Sequence, residues 1–152
     1  MSTTQSHPLS TSSKLPVSLA GRVAPRTMVG ALWLFAILNY LYCDVLGMHD
    51  PGYLSSVLAG SAGGISFSAT MLLTAGVLMT IPMAGVLISR IALHGVARWY
   101  SVAAGAVMTV VQIGTLGVGT APTPLYLYFS AIEILTTAFI TWYAIARWRI
   151  DS

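Results

Sequence analysis

The stretch PLYLYFSAIEILTTAFITWYAIA, residues 124–146, decides the fold. It is long enough to cross a ~30 Å hydrocarbon core as one helix, which takes about 20 mostly apolar residues. Glu133 is its single charged residue, Tyr126 and Tyr128 stand near its start, and Trp142 and Tyr143 stand near its end. Arg147 and Arg149 follow directly. Aromatic residues at both ends and cations beyond only one of them mark a membrane span whose C-terminal end faces the cytoplasm.

Working outward, three more stretches have the same length and character: 27–47, 68–89 and 99–118. Helices are required, because unpaired backbone groups cannot face lipid, and no stretch alternates as barrel strands do. The 7 Lys and Arg residues all fall on one side of this pattern. Lys14, Arg22 and Arg26 precede the first span, Arg90 and Arg98 flank the second break, and Arg147 and Arg149 follow the fourth span. The predicted fold is therefore an all-α integral membrane four-helix bundle with both termini in the cytoplasm. Trp99, Tyr100, Trp142, Tyr143 and Trp148 would mark the inner interface, and Tyr53, Tyr126 and Tyr128 the outer one.

Composition leads to the same class. A chain of 152 residues that is 56% hydrophobic and 7% charged cannot cover a soluble globule with polar surface. Its net charge of +3 is cytoplasmic-face charge, which speaks for topology and lipid headgroups and against nucleic acid. Cys43 is the sole cysteine, so an intrachain disulfide and a CxxC pair are excluded. Residues 1–24, rich in Ser, Thr and Pro, are expected to form a disordered cytoplasmic tail before a four-helix domain at 25–149. The first apolar run is too long for a signal-peptide core and lacks a small-x-small cleavage site.

The connections differ in character. Arg90 to Arg98 is expected to be a tight turn containing His94 and Gly95, and Gly119 to Thr123 a short outer turn. Between Met48 and Phe67, His49-Asp50-Pro51-Gly52 is followed by Leu54, Val57 and Leu58 at helical spacing and then by a Gly60 to Gly64 cluster. A short amphipathic helix at the outer surface fits this pattern, and so does a plain loop. No internal repeat of the transporter kind is present.

Glu133 lies ~14 Å below the outer end of its helix at 1.5 Å per residue. A charged carboxylate there costs at least ~2.5–3.5 kcal/mol, so it must be protonated, paired or wet. The basic residues lie roughly 20 Å away along the helix, so neutral partners are expected. Asn39, Gln112, Thr115 and Thr74 sit at matching depth, Asp44 sits nearer the outer mouth, and Tyr40 is one turn below Asp44. Ser130, Glu133 and Thr137 form a stripe that should face the bundle interior. Strongly polar groups concentrate in the outer half, which points to an outward pocket with an apolar floor and away from a continuous pore.

A blander reading stands beside this one. Ser, Thr, Asn and Gln in membrane helices commonly serve as interhelical hydrogen-bond glue, worth about 0.6 kcal/mol each. Glu133 admits both readings, since an intramembrane acid is a functional candidate and a protonated one can also tie a bundle together. Asp44 can equally be a hydrated interfacial residue. Pro82 is expected to kink the second span near Leu78. Bound haem is disfavoured because His7, His49 and His94 fall outside the spans. No cofactor or metal is called for, though His49, Asp50 and Asp44 leave a weak outer metal site open.

Asn39-Tyr40-Leu41-Tyr42-Cys43-Asp44-Val45-Leu46, Pro51-Gly52, Ser89-Arg90, Arg98-Trp99, and Glu133 with the Trp142-Tyr143 ending carry a family resemblance. The chain resembles, over about Met28 to Trp148, a family of small uncharacterised prokaryotic four-span membrane proteins. Ala97 stands where that family has Asn before the Arg-Trp pair, which weakens any role for that turn. The architecture is also broadly similar to the small four-helix DoxX-like proteins. The resemblance implies four helices in a prokaryotic cytoplasmic membrane and no particular chemistry.

Three functions follow as expectations. The leading one is a non-enzymatic membrane protein with an outward polar pocket of Asn39, Tyr40, Asp44, Gln112 and Glu133. It would bind or move a small cation, a proton or an amphipathic solute. A homodimer is allowed by small residues such as Gly76, Ala84, Gly85, Ala103, Ala104 and Gly105. The second is a structural or regulatory subunit of a larger membrane complex, docked through Tyr53 to Leu58. The third is a quinone-linked membrane oxidoreductase subunit.

Overall fold

A computed structural model describes residues 24–119 and 121–148. The expected tail lies outside them apart from Ala24, as do Lys14, Arg22 and Arg149. Four long helices, α1 (Pro25–Gly47), α3 (Ala69–Ile91), α4 (His94–Thr115) and α5 (Pro124–Ala146), are each long and apolar enough to cross a membrane. Between α1 and α3 come a short helix α2 (Pro51–Leu58) and a hairpin of β1 (Ser61–Ala62) and β2 (Ile65–Ser66).

Local chemistry sets the boundaries. Pro25, Pro51 and Pro124 each stand in the first turn of their helix, where the missing N–H removes no intrahelical bond. Ser68 Oγ accepts from Met71 N–H and Thr123 Oγ1 from Tyr126 N–H, capping α3 and α5. The hairpin follows from its glycines. Ala62 pairs with Ile65 around Gly63-Gly64, both at positive φ, which is the two-residue type I′ turn.

The long helices alternate in direction and form a ring in which α1 packs on α3 and α5, and α4 packs on α3 and α5. One end of the bundle, the terminal end, carries Arg26, Arg90, Arg98 and Arg147. The other, the hairpin end, carries α2, the hairpin and the α4–α5 turn.

The apolar core lies toward the terminal end, around Val29, Trp33, Ala97, Met108, Ile140, Ala144 and Trp148. Trp33 fills the bundle axis: its indole N–H donates to Ser101 Oγ at 3.5 Å across to α4. Gly85 makes room for its ring, since a Cβ there would lie 2.8 Å from the indole carbons.

Several boundaries differ from expectation. The α3–α4 break is only Ala92 and Leu93, so His94, Gly95 and Arg98 belong to α4. Arg98 is tolerated inside the first turns because its Nε donates to Ala144 O at 2.8 Å, capping the C-terminal carbonyls of α5. The helix correspondingly stops at Thr115, short of Val118. Trp148 is fully buried with His94 edge-on to it at 5.6 Å, so it packs the core and is no interface anchor. α3 runs as one helix through Pro82, and Tyr100 Oη donates to Ile81 O beside the proline. Gly85, Ala104 and Gly105 are buried within the chain's own bundle, where Gly105 lets Thr137 and Thr141 of α5 approach.

Candidate functional site

Two polar layers occupy the hairpin-end half. The deeper one is a set of interhelical hydrogen bonds around Glu133, which is 2% exposed. Asn39 Nδ2 donates both to Phe129 O at 3.1 Å and to Glu133 Oε1 at 3.0 Å. A carbonyl oxygen can only accept, so the Phe129 bond fixes which way the Asn39 amide points. Glu133 Oε1 is consequently an acceptor whatever its protonation state, and a proton on this carboxyl belongs on Oε2.

Gln112 Nε2 donates to Ser130 Oγ at 2.8 Å, and Thr109 and Thr137 share a 2.8 Å hydroxyl contact one turn further down. These bonds join α4 to α5, as the Asn39 bonds join α1 to α5. The stripe of Ser130, Glu133 and Thr137 faces the interior, as its spacing requires. Tyr126 Oη donates to Thr115 Oγ1 at 2.8 Å and links this layer to the one above. Thr74 takes no part, because it is exposed and its hydroxyl donates to Thr70 O of its own helix.

The shallower layer is a cavity of about 600 Å³ at the hairpin end. Its wall is formed by Cys43 and Asp44 at the end of α1, Asp50 and Tyr53 on the α2 side, and Gly63 and Ile65 of the hairpin. Thr115, Val118, Pro122 and Tyr126 complete it from the α4–α5 side. The hairpin and the α4–α5 turn meet at Gly63 and Gly119: a Cβ on Gly119 would collide with Gly63 O, and Gly119 has φ +82°.

The five expected site residues thus separate by depth. Asp44 lines the cavity, whereas Asn39, Gln112, Glu133 and Tyr40 are not on its wall. Asn39, Gln112 and Glu133 lie in the deeper layer with protein partners. Tyr40 Oη is fully buried and, alone among the buried side-chain N and O atoms of the described residues, has no partner. Sequence reasoning missed the hairpin wall, although Gly63-Gly64 between two short runs is a hairpin signal. It also missed Ser89 and Ser101, buried in the terminal-end half.

Electrostatically the cavity is one-signed. Among the described residues its wall contains Asp44 and Asp50 and no Lys, Arg or His. The Asp50 carboxylate caps α2, accepting from Gly52 N–H at 2.8 Å and Tyr53 N–H at 3.3 Å. Burial, and after it the Asp44 carboxylate, push the Tyr53 phenol above its ordinary pKa, so it stays a neutral donor. His49, in the turn after α1, is turned back to that helix, Nδ1 lying 2.9 Å from Val45 O. Among the described residues no group of three His, Cys, Asp or Glu side chains is arranged to hold a metal ion.

A family model described as a family of unknown function, DUF6326, matches residues 22–152. No curated protein and no solved structure matches the chain.

Proposed function

The chain belongs to the DUF6326 family of unknown function, and from that premise we propose that it is a non-enzymatic multi-pass membrane protein that binds a small solute in the hairpin-end cavity. The observation that carries this reading is the cavity itself, about 600 Å³ beside a closed bundle. That volume lies within the roughly 300–1,000 Å³ of small-molecule sites.

In this reading the arginine-bearing end faces the cytoplasm of a prokaryotic cell and the cavity opens outward, as the positive-inside rule directs. Asp44 draws solutes of positive charge to the mouth. The Asn39–Glu133 pair lies in the bonded layer beneath the cavity, off its wall, and holds α1 to α5 there. Below it the Trp33–Met108–Ile140 core closes the path, which favours binding or gated movement over an open channel. The broad likeness to DoxX-like proteins is an expectation of architecture and adds no chemistry.

The test uses three amphipathic fluorophores, neutral, anionic and cationic, with purified protein in lipid nanodiscs. At least one should bind saturably, and Val118→Trp, which fills the cavity from its wall, should abolish that binding with helicity intact. Failure of all three to bind, or binding unchanged by Val118→Trp, would overturn the reading.

A second reading, a subunit or homodimer contact, is favoured by α3, the least buried of the four long helices. It exposes Leu72, Leu73, Val77, Met83 and Leu87, a face that suits a second apolar helix.

A further inference from the structure

Resting on the reading of the cavity as a solute site, we propose that its ligand is an amphipathic organic cation: a protonated amine, quaternary ammonium or phosphonium on an apolar body. The argument begins with which charges on the wall are free. Asp50 is committed to the first turn of α2 through Gly52 and Tyr53 N–H. Asp44 is exposed toward the cavity, and no hydrogen bond among the described residues reaches its carboxylate. One free negative charge therefore faces the space, and among the described residues no cationic side chain on the wall balances it.

Other ligand classes fit less well. An anion would meet the Asp44 field without a partner, because the described arginines lie at the terminal end, about 30 Å away at 1.5 Å per helical residue. A bare divalent ion takes ~6–8 oxygens when it is Ca²⁺, and no group of three His, Cys, Asp or Glu converges among the described residues. A small hydrated cation would leave the apolar part of the wall, Ile65, Val118, Pro122 and Leu125, without a role. An organic cation uses both parts. Its charge sits at Asp44, its body covers the apolar wall, and Tyr53 and Tyr126 add rings of the kind that hold ammonium groups. Glu133 makes no contact with the ligand in this scheme, since its Oε1 is taken by Asn39 and it is off the wall.

Tetraphenylphosphonium and tetraphenylborate, alike in shape and opposite in charge, provide the test. Binding is measured by equilibrium dialysis against protein in lipid nanodiscs, with protein-free nanodiscs subtracted. One saturable phosphonium site per chain is expected, with none for the borate. Asp44→Asn should weaken the phosphonium site by about tenfold or more, the scale of one partly screened charge contact. Asp44→Glu, which keeps the charge, should retain it, and so should Glu133→Gln. Equal saturable binding of both ions, or an Asp44→Asn affinity equal to that of the unsubstituted chain, would overturn the organic-cation assignment and leave the cavity reading standing. Loss in Asp44→Glu as severe as in Asp44→Asn would overturn it too, because charge would not be the determinant. Absence of saturable binding by either ion, with neutral fluorophores also excluded, would overturn both.

Discussion

Asn39 Nδ2 donates to Glu133 Oε1 at 3.0 Å, tying the first long helix to the last across 94 positions of sequence. The bond gives the one carboxyl deep in the bundle a neutral partner, and the Phe129 carbonyl fixes its polarity. The two residues should therefore respond differently to substitution. Glu133→Gln keeps an acceptor oxygen toward Asn39 and should leave thermal stability in detergent nearly unchanged. Asn39→Leu leaves the Glu133 oxygen and Phe129 environment without their donor and should cost about 1–3 kcal/mol. Equal destabilisation by the two would contradict the assigned polarity.

Gly85 is required by Trp33. Gly85→Ala would place a Cβ 2.8 Å from the indole ring and should destabilise by ~1–3 kcal/mol, as overpacked interiors do. Gly76 lies on the same helix with nothing within 4 Å of a built Cβ, so Gly76→Ala should be neutral or gain up to about 1 kcal/mol. Chemical denaturation of the two variants side by side checks the contrast.

The contact of Gly119 with Gly63 holds the hairpin against the α4–α5 turn. Gly119→Ala should displace the hairpin tip and speed alkylation of Cys43, which lines the cavity behind it. Gly60 shares a positive φ of +84° but has open space around it. Gly60→Ala should therefore show only the backbone penalty, about 1–2 kcal/mol, without a comparable change in Cys43 reactivity. Alkylation rates read by mass spectrometry separate the two cases.

Asp50 acts on α2 alone. Asp50→Ala removes a cap worth about 1 kcal/mol and should raise amide exchange across Tyr53–Leu58. The bundle should melt as before, because α2 packs chiefly on β1. A large drop in bundle stability would mean that α2 is part of the core.

Much of this architecture is legible in the sequence because the bilayer imposes long apolar runs and sorts arginines to one end. The fourth span, 124–146, coincides with α5 for that reason. The third span, expected at 99–118, is offset by several residues from α4, because an arginine ordinarily marks a span boundary, whereas Arg98 lies inside α4 and bonds the end of α5. Depth arithmetic places Asn39 beside Glu133 correctly, since both lie at similar distances from the hairpin end. It does not separate the bonded layer from the cavity above it. That division depends on Gly63 meeting Gly119, a contact between loops that hydropathy and helical periodicity do not encode. Likewise the interior role of Gly85 depends on where Trp33 points, which one sequence leaves open.

Cys43 is a built-in reporter for the central claim, a cavity reached from the outer face, because it is the single cysteine and stands half-buried on the cavity wall. The decisive measurement is its labelling in intact cells by a small, membrane-impermeant, cationic thiosulfonate, with and without tetraphenylphosphonium. The account predicts reaction from outside that is slowed by the phosphonium ion and unaffected by tetraphenylborate. Labelling only from the cytoplasmic side, or only after denaturation, would contradict it.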